Sequence, residues 1–313
     1  IVAKFYGRES ELKQLQQWIT EDRYQVVSLL GLGGIGKTAI AALLIGKVKS
    51  SFDYIFWRSL QNAPSVESVL KSCLQFIASG EHIDISSDPN EQMLQFIKVL
   101  QEHRCLIILD NFETVLESQT NQNRWAGYAT LLQRVGEVMH RSCLLLTSRE
   151  KPAEISLLEV KTMPVHSLQL SGLEITDVQK ILKEQALIGT ESEWKQLVDF
   201  YVGNPLALKL VSESIKEIFE GNIAEFLQEN TFLIKDVHNL IEQQFGRLSE
   251  LEHDIMYWLA IEREAVPLAE LLEDIIEHVT KSTLLEAISS LQRRFRVEKV
   301  NTRFFLLPVV IEF

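Results

Sequence analysis

The sequence predicts an α/β fold: a parallel sheet with helices on both faces, followed by a helical domain and a winged-helix domain. Three observations carry this. Up to Leu170, short apolar runs alternate with helix-period segments and no hairpin turns join them, the pattern of a parallel sheet covered on both sides. Beyond Leu170 nearly every segment reads as helix. Near the end, RVEKV and RFFLLPV flank Asn301-Thr302, a hairpin behind helices. The expected domains are residues 1–170, 171–235 and 236–313.

The elements follow in order. QVVSLL (Gln25 to Leu30) ends at glycines and reads as a buried strand; helix formers run from Ala39 to Val48. DYIFWRSL (Asp53 to Leu60) is a second strand. Pro64 opens a helix whose apolar residues, Val66, Val69, Leu70, Cys73, Phe76 and Ile77, fall at helical spacing, and Met93, Phe96, Ile97 and Leu100 repeat the stripe. CLIIL (Cys105 to Leu109) is a third strand, Trp125 to His140 a helix, CLLLT (Cys143 to Thr147) a fourth strand and VHSLQL (Val165 to Leu170) a fifth. In the helical part, Pro205 starts a helix that Gly221 ends, proline first and glycine last. Ser249-Glu250-Leu251-Glu252 is a capping-box sequence before an amphipathic run, and Thr283-Leu284-Leu285-Glu286 is another.

Composition narrows the function classes. The 313 residues are 46% hydrophobic and 24% charged, ordinary for a globular protein. The formal net charge of −12 disfavours non-specific binding to nucleic acid or anionic membrane, both of which reward clustered Lys and Arg. Cys73, Cys105 and Cys143 form no CxxC pair and read as core thiols, which suits a reducing, cytoplasmic setting. No apolar run reaches the ~18 residues of a membrane span, and no signal peptide is present. Ile1 in place of Met, and an end that falls mid-pattern at Phe313, suggest a fragment of a longer protein.

The most informative stretch is GLGGIGKTAI. It matches GxxxxGK[ST] between a strand and a helix, with Gly31, Gly33, Gly34, Ile35, Gly36, Lys37, Thr38 and Ala39. Glycines let backbone N–H groups turn around an anion, and the helix N-terminus adds partial positive charge. Lys37 reaches the β- and γ-phosphates of a nucleotide, and the Thr38 hydroxyl ligates Mg²⁺. The run LIILD ends an apolar strand on Asp110, a second candidate Mg²⁺ ligand. Asn111 follows, and an amide cannot serve as a base. Glu113 is either the substitute base or a solvated loop residue. LLLTSRE ends its strand with Thr147, a candidate γ-phosphate sensor, and with Arg149, which either holds the same phosphate or makes a surface salt bridge.

FYGRESEL, the phosphate loop, LIILDN, LLLTSRE and GNPLALK, in that order, resemble the NB-ARC group of signal-transduction ATPases, the STAND class. The similarity is greatest to cyanobacterial members that carry WD repeats, and it spans nearly the whole chain. It implies that Tyr6, Gly7, Arg8 and Glu9 lie along adenine and ribose, and that Gly31 to Thr38 hold phosphates. It implies that Asp110 is linked to Mg²⁺, that Arg149 is the sensor, and that Pro205, with Leu206 beside it, packs on the adenine. Two features depart from the family pattern. Asn111 stands where a second acid is frequent. Leu307-Pro308-Val309 stands where the family carries Met-His-Asp, whose His contacts the ADP β-phosphate; His253 and His278 are candidates to replace it.

The resemblance implies an ADP/ATP switch. ADP holds the domains closed, ATP binding opens them for self-association, and slow Mg²⁺-dependent hydrolysis resets the state. Effector and sensor-repeat domains would lie outside this fragment. Two alternatives remain at this stage. One is a turnover ATPase or kinase. The other is a DNA-binding regulator that uses Arg293, Arg294, Arg296, Lys299 and Arg303, although a solvated face, or a basic patch contacting the acidic remainder, explains that cluster better.

Overall fold

The computed structural model describes residues 6–78, 84–116, 122–229, 237–238, 242, 248–275, 279–294 and 297–311. Phe5, His278 and Arg296 lie outside the described residues. Contacts divide the chain into two units, one of residues 8–31 and 37–170, the other of residues 6–7, 32–36 and those from Ser171 onward.

The first unit is a five-stranded parallel sheet. Its strands are β1 (Val26–Leu30), β2 (Tyr54–Ser59), β3 (Cys105–Asp110), β4 (Cys143–Ser148) and β5 (Val165–Gln169), ordered β2-β3-β4-β1-β5. The three inner strands are buried along their whole length, which is why they read as unbroken apolar runs; the edge strands β2 and β5 are only partly covered. Register places Val26 beside both Leu144 and Val165, and Leu106 beside Cys143. The three cysteines are buried and free. Burial pushes the Cys105 thiol up to about 11 and the Cys143 thiol up to about 12, so both are inert packing groups at neutral pH.

The helices of this unit are α1 (Glu9–Thr20), α2 (Lys37–Val48), α3 (Val66–Ile77), α4 (Pro89–Glu102), α5 (Glu113–Leu116), α6 (Gln122–Glu137) and α7 (Ala153–Val160). Helix α2 opens at Lys37 rather than Ala39 and α6 at Gln122 rather than Trp125, and two further bounds differ for reasons the side chains show. Helix α3 does not open on Pro64: Ser65 is its N-cap, its Oγ accepting from the Ser68 N–H at 3.3 Å, and Pro64 stays outside with its carbonyl bound by Tyr128. A hydroxyl one residue later offers the cap that proline cannot. Helix α6 stops at Glu137, not His140. The His140 ring folds back to the Val135 carbonyl at 3.0 Å while its Nδ1 lies 3.2 Å from the Ser142 N–H. Burial holds the His140 pKa below its ordinary value, which favours the neutral ring that can do both.

In the second unit, α8 (Ile175–Glu184), α9 (Glu191–Phe200), α10 (Pro205–Phe219) and α11 (Ile223–Gln228) share one apolar core that includes Val178, Leu197, Leu208, Val211, Ile215 and Phe226. As expected, α10 begins on Pro205. It ends on Glu220 at φ 49° and Gly221 at φ 86°, and the Gly221 N–H returns to the Ile215 carbonyl at 3.0 Å.

A separate core, with Ile255, Leu259, Leu284, Ile288, Leu291 and Phe304, joins the helices Glu250–Glu262 and Lys281–Arg293 to a small antiparallel sheet. Its strands, β6 (Val266–Pro267), β7 (Val297–Val300) and β8 (Arg303–Leu306), are ordered β6-β8-β7. The expected hairpin at Asn301-Thr302 is present; both residues have positive φ, 52° and 84°. The Ser249–Glu252 capping box is also present, with bonds of 3.2 and 2.7 Å. The box expected at Thr283 is not a helix start. Thr280 caps that helix, its Oγ1 accepting from the Thr283 N–H at 3.2 Å, so Thr283 lies inside the first turn. Thr280 is the last extended residue, and its hydroxyl alone satisfies the free amide, so no glutamate three residues on is needed.

Among the described residues no helix is long and apolar enough to cross a membrane.

Candidate functional site

In the first unit the strand order gathers the motif residues. Strand β4 lies between β1 and β3, so the carboxyl ends of these three strands are neighbours. Ligands of open parallel sheets bind at such ends. The phosphate loop leaves β1, Asp110 ends β3, and Thr147 and Arg149 come at the end of β4.

The Thr38 hydroxyl donates to Asp110 Oδ1 at 2.9 Å, and the buried Thr147 hydroxyl donates to the same oxygen at 2.5 Å. Thr147 Oγ1 also accepts from the Asn111 N–H at 3.1 Å. Its hydroxyl therefore serves Asp110 and the turn after β3. That turn needs Asn111 at φ 60°, a left-handed conformation that asparagine tolerates better than most residues. It directs the chain into the short helix α5, whose first residue is Glu113.

Glu113 is not a solvated loop residue: it is only 4% exposed. Its Oε1 lies 3.1 Å from Arg149 Nε, and its Oε2 accepts from the Arg149 N–H at 3.2 Å. Arg149 thus makes an ion pair, but with a buried carboxylate, while its own side chain keeps 31% exposure.

Lys37 is 9% exposed and donates to the Gly31 carbonyl at 2.7 Å. Burial lowers its pKa to about 8, with the charge of Glu113 opposing the shift, Arg149 adding to it, and Asp110 opposing it. Two cations, Lys37 and Arg149, thus face two carboxylates, Asp110 and Glu113. A polyphosphate entering this cluster competes for the cations and repels the carboxylates, and a divalent cation beside Asp110 would balance it. The residues present fit Mg²⁺. Thr38 and Asp110 supply hard oxygens 2.9 Å apart, and Mg²⁺ ordinarily takes one or two protein ligands plus phosphate oxygens and water. No cage of three or more His, Cys, Asp or Glu exists among the described residues.

The depressed Lys37 pKa has a testable sign. A nucleotide phosphate would be held by the protonated ammonium. ADP affinity should therefore be flat below about pH 8 and should fall by up to about tenfold per pH unit above it, as the proton must be recovered to bind. Titrations at pH 7, 8, 9 and 10 check this, and a Lys37→Arg chain should lose the dependence.

Other candidates fall as follows. Arg8 caps α1 in a left-handed conformation, and its guanidinium bonds Glu11 at 2.8 Å. Ala39 lies in the first turn of α2. In the second unit Tyr6 bonds Glu184, and Gly7, at φ 67°, packs so closely on Asp177 that a Cβ would meet its carboxylate at 2.6 Å. That unit also holds Gly33, Gly34, Ile35 and Gly36 of the loop, with Pro205 and Leu206 at the start of α10. Gly36 adopts φ 105°, which any side chain would strain although nothing lies within 4 Å. His253 lies on the helix Glu250–Glu262, stacks on Tyr257 and borders a 240 Å³ cavity lined also by Met256, Leu306 and Ile311.

Two features escaped the sequence reading. One is the pairing of Glu113 with Arg149, for which no local signal exists. The other is Asn204, whose Nδ2 donates to the Gly33 carbonyl at 2.9 Å. A polar residue just before a helix-opening proline signals an N-cap, but not that second bond.

Comparison with known proteins places these observations. The profile of the NB-ARC domain matches residues 8–189. A WD repeat-containing protein of Nostoc sp. is 40% identical over the whole chain, which spans 26% of that protein. A disease resistance protein of Vitis rotundifolia is 22% identical, covering 82% of this chain and 18% of its own length. Two solved structures share the fold. A STAND protein with a tetratricopeptide-repeat sensor from Pyrococcus horikoshii has a TM-score of 0.53 at 19% identity, covering all of this chain and 42% of its own. A Walker-type ATPase of Pyrococcus abyssi has a TM-score of 0.61 at 13% identity, covering 98% and 95%.

Proposed function

The chain belongs to the NB-ARC family, and from that premise we propose that it is the nucleotide-operated switch of a larger signalling protein. The observation that carries the proposal is the cluster at the ends of β1, β3 and β4: Lys37, Thr38, Asp110 and Thr147 within one hydrogen-bonded and charged group, with Arg149 held aside by Glu113.

In this reading ADP is held by the loop from Gly31 to Thr38, with Lys37 on the β-phosphate. Thr38 and Asp110 would hold Mg²⁺, which when bound screens the charge between the β- and γ-phosphates. Thr147 keeps the Asp110 carboxylate turned toward Thr38. Tyr6, Gly7 and Arg8 line the nucleoside, and Pro205 and Leu206 meet the base from the helical part.

The γ-phosphate of ATP draws Arg149 from Glu113, and the state of that pair reports which nucleotide is bound. Glu113, two positions beyond Asn111, is the carboxylate that, once released, takes the place of the missing acid as a water-activating base. While paired, both its oxygens are engaged, which suits slow hydrolysis and a long-lived state. A nucleotide shifts such an equilibrium only by its differential affinity for the two states, and Arg149 is the group that supplies the difference.

The last piece of the chain is read as a winged-helix domain, residues 236–313, and residues 171–235 as the helical domain preceding it. Three basic residues of the winged helix serve the domain itself. Arg294 pairs with the buried Glu252 at 3.4 Å, Arg303 donates to the Ala265 carbonyl at 3.0 Å, and Lys299 lies over the Phe304 ring. That use favours a switch over a DNA-binding regulator. The switch works inside the cell, self-associates when ATP-bound, and passes its state between sensor repeats and an effector elsewhere in the protein.

The test is chemical. The chain is purified without added nucleotide, denatured, and the released small molecules are separated by chromatography. About one ADP per chain is the expected result. An empty site, with phosphate release at the rate of a metabolic enzyme, would sink the switch in favour of a turnover ATPase.

A further inference from the structure

The loop residues 32–36 and the start of α10 meet within the second unit at Asn204, which is 8% exposed. The side chain of Asn204 works in two directions. Its Oδ1 accepts from the Leu206 N–H at 3.1 Å and the Ala207 N–H at 3.2 Å, capping α10. Its Nδ2 donates to the Gly33 carbonyl at 2.9 Å. Both ends of the amide are therefore used, and its orientation is determined by the need for one acceptor and one donor.

We propose that Asn204 is a positioning residue for the anion-binding loop: by holding the Gly33 carbonyl, it aims the Gly34 N–H at the bound phosphate. This inference rests on the nucleotide reading above. The geometry is that of one peptide. In a trans peptide the C=O and the following N–H point in opposite directions, so fixing the Gly33 oxygen on one side fixes the Gly34 N–H on the other. The Gly34 N–H has no hydrogen-bond partner among the described residues.

Close packing keeps the peptide from turning over. Gly34 has φ 80°, and a Cβ there would stand 2.8 Å from Leu206 Cβ and 3.0 Å from Asn204 Oδ1. Glycine at this place is thus required twice, by its backbone angle and by the side chains of α10 beside it. An N–H set before the anion arrives costs no reorganisation on binding, which is how a preorganised donor contributes affinity.

The decisive variant is Asn204→Asp. Aspartate has the same shape and caps helices as well as asparagine, but its carboxylate cannot donate to Gly33. Thermal melting of the nucleotide-free protein and ADP titration are measured together at pH 8. The expected result is a melting temperature close to that of the parent chain with ADP affinity at least about tenfold lower, the loss of one charge-assisted donor.

A second reading comes from pH. Once protonated, the aspartic acid regains a donor for the Gly33 carbonyl, so the affinity of Asn204→Asp relative to the parent should recover as pH falls toward the ordinary aspartate pKa of about 4. The new carboxylate also repels the phosphate, so a neutral variant separates the two causes. Asn204→Ser, which caps but is too short to reach Gly33, must show the loss at unchanged melting temperature; a purely structural cap would leave its ADP affinity at the parent's.

ADP affinity equal to the parent in the variant that folds would overturn the inference and leave the nucleotide switch standing. A parent chain that takes no ADP would overturn both, and that result is seen before any substitution is made.

Discussion

Lys37→Ala is expected to lower ADP and ATP affinity by about 100-fold or more, close to abolishing binding. The magnitude follows from chemistry: charge-assisted bonds from an ammonium to phosphate oxygens are worth roughly 1.5 kcal/mol or more each, and two of them, about 3 kcal/mol, make about two decades. The structure adds a second reason. Lys37 is buried beside Asp110 and Glu113, so its removal leaves two carboxylates facing the incoming phosphate with Arg149 alone to offset them. Calorimetric or fluorescent-nucleotide titration measures the loss. The variant should remain folded, because burial already disfavours the Lys37 charge and its loss relieves that penalty. Tight binding retained in a folded Lys37→Ala chain would remove the phosphate-loop reading at its root.

Arg149→Ala should separate the two nucleotides. ATP affinity is expected to fall about tenfold more than ADP affinity, the worth of one charge-assisted contact to the γ-phosphate. The same change removes the cation from Glu113, a carboxylate only 4% exposed. Removing one partner of a fully buried pair costs several kcal/mol. Arg149 is partly open to solvent, so a loss of about 1–2 kcal/mol is expected here, read as a lower unfolding midpoint. Glu113→Gln distinguishes the effects. It frees Arg149 from its ion pair, so ATP affinity should be kept or improved, while any hydrolysis should drop because an amide cannot take a proton. Equal losses of ATP and ADP in Arg149→Ala would end its role as the sensor.

How much of this was legible beforehand depended on whether the cause was local. The inner strands stood out because each is buried on both faces and so is apolar without interruption. Helix α10 was legible at both ends, since proline and glycine impose backbone geometry on their own. The start of α3 and the Lys281–Arg293 helix were misplaced for a related reason. Ser65 and Thr280 cap through hydroxyls that a search for proline or for a Thr–Glu pair passes over. The loop from Gly31 to Thr38 needed no tertiary knowledge, because spacing, strand and helix all lie within one short stretch.

The candidate site divides along the same line. The side chains present, namely Lys37, Thr38, Asp110, Thr147, Arg149 and the proline at 205, were determined by the sequence alone, together with the absence of a second acid at Asn111. Their meeting was decided by the fold. Thr38 reaches Asp110 across 72 positions, and Asp110 reaches Thr147 across 37. That happens because β4 inserts between β1 and β3, an order set by helices packing on both faces of the sheet. The fold likewise decided that Glu113 is buried against Arg149, and that the amide of Asn204 both caps a helix and holds the Gly33 carbonyl. Residue type is a local property and can be read in order. A partner distant in sequence is chosen by packing, and one carboxylate or one amide carries no mark of which partner that will be.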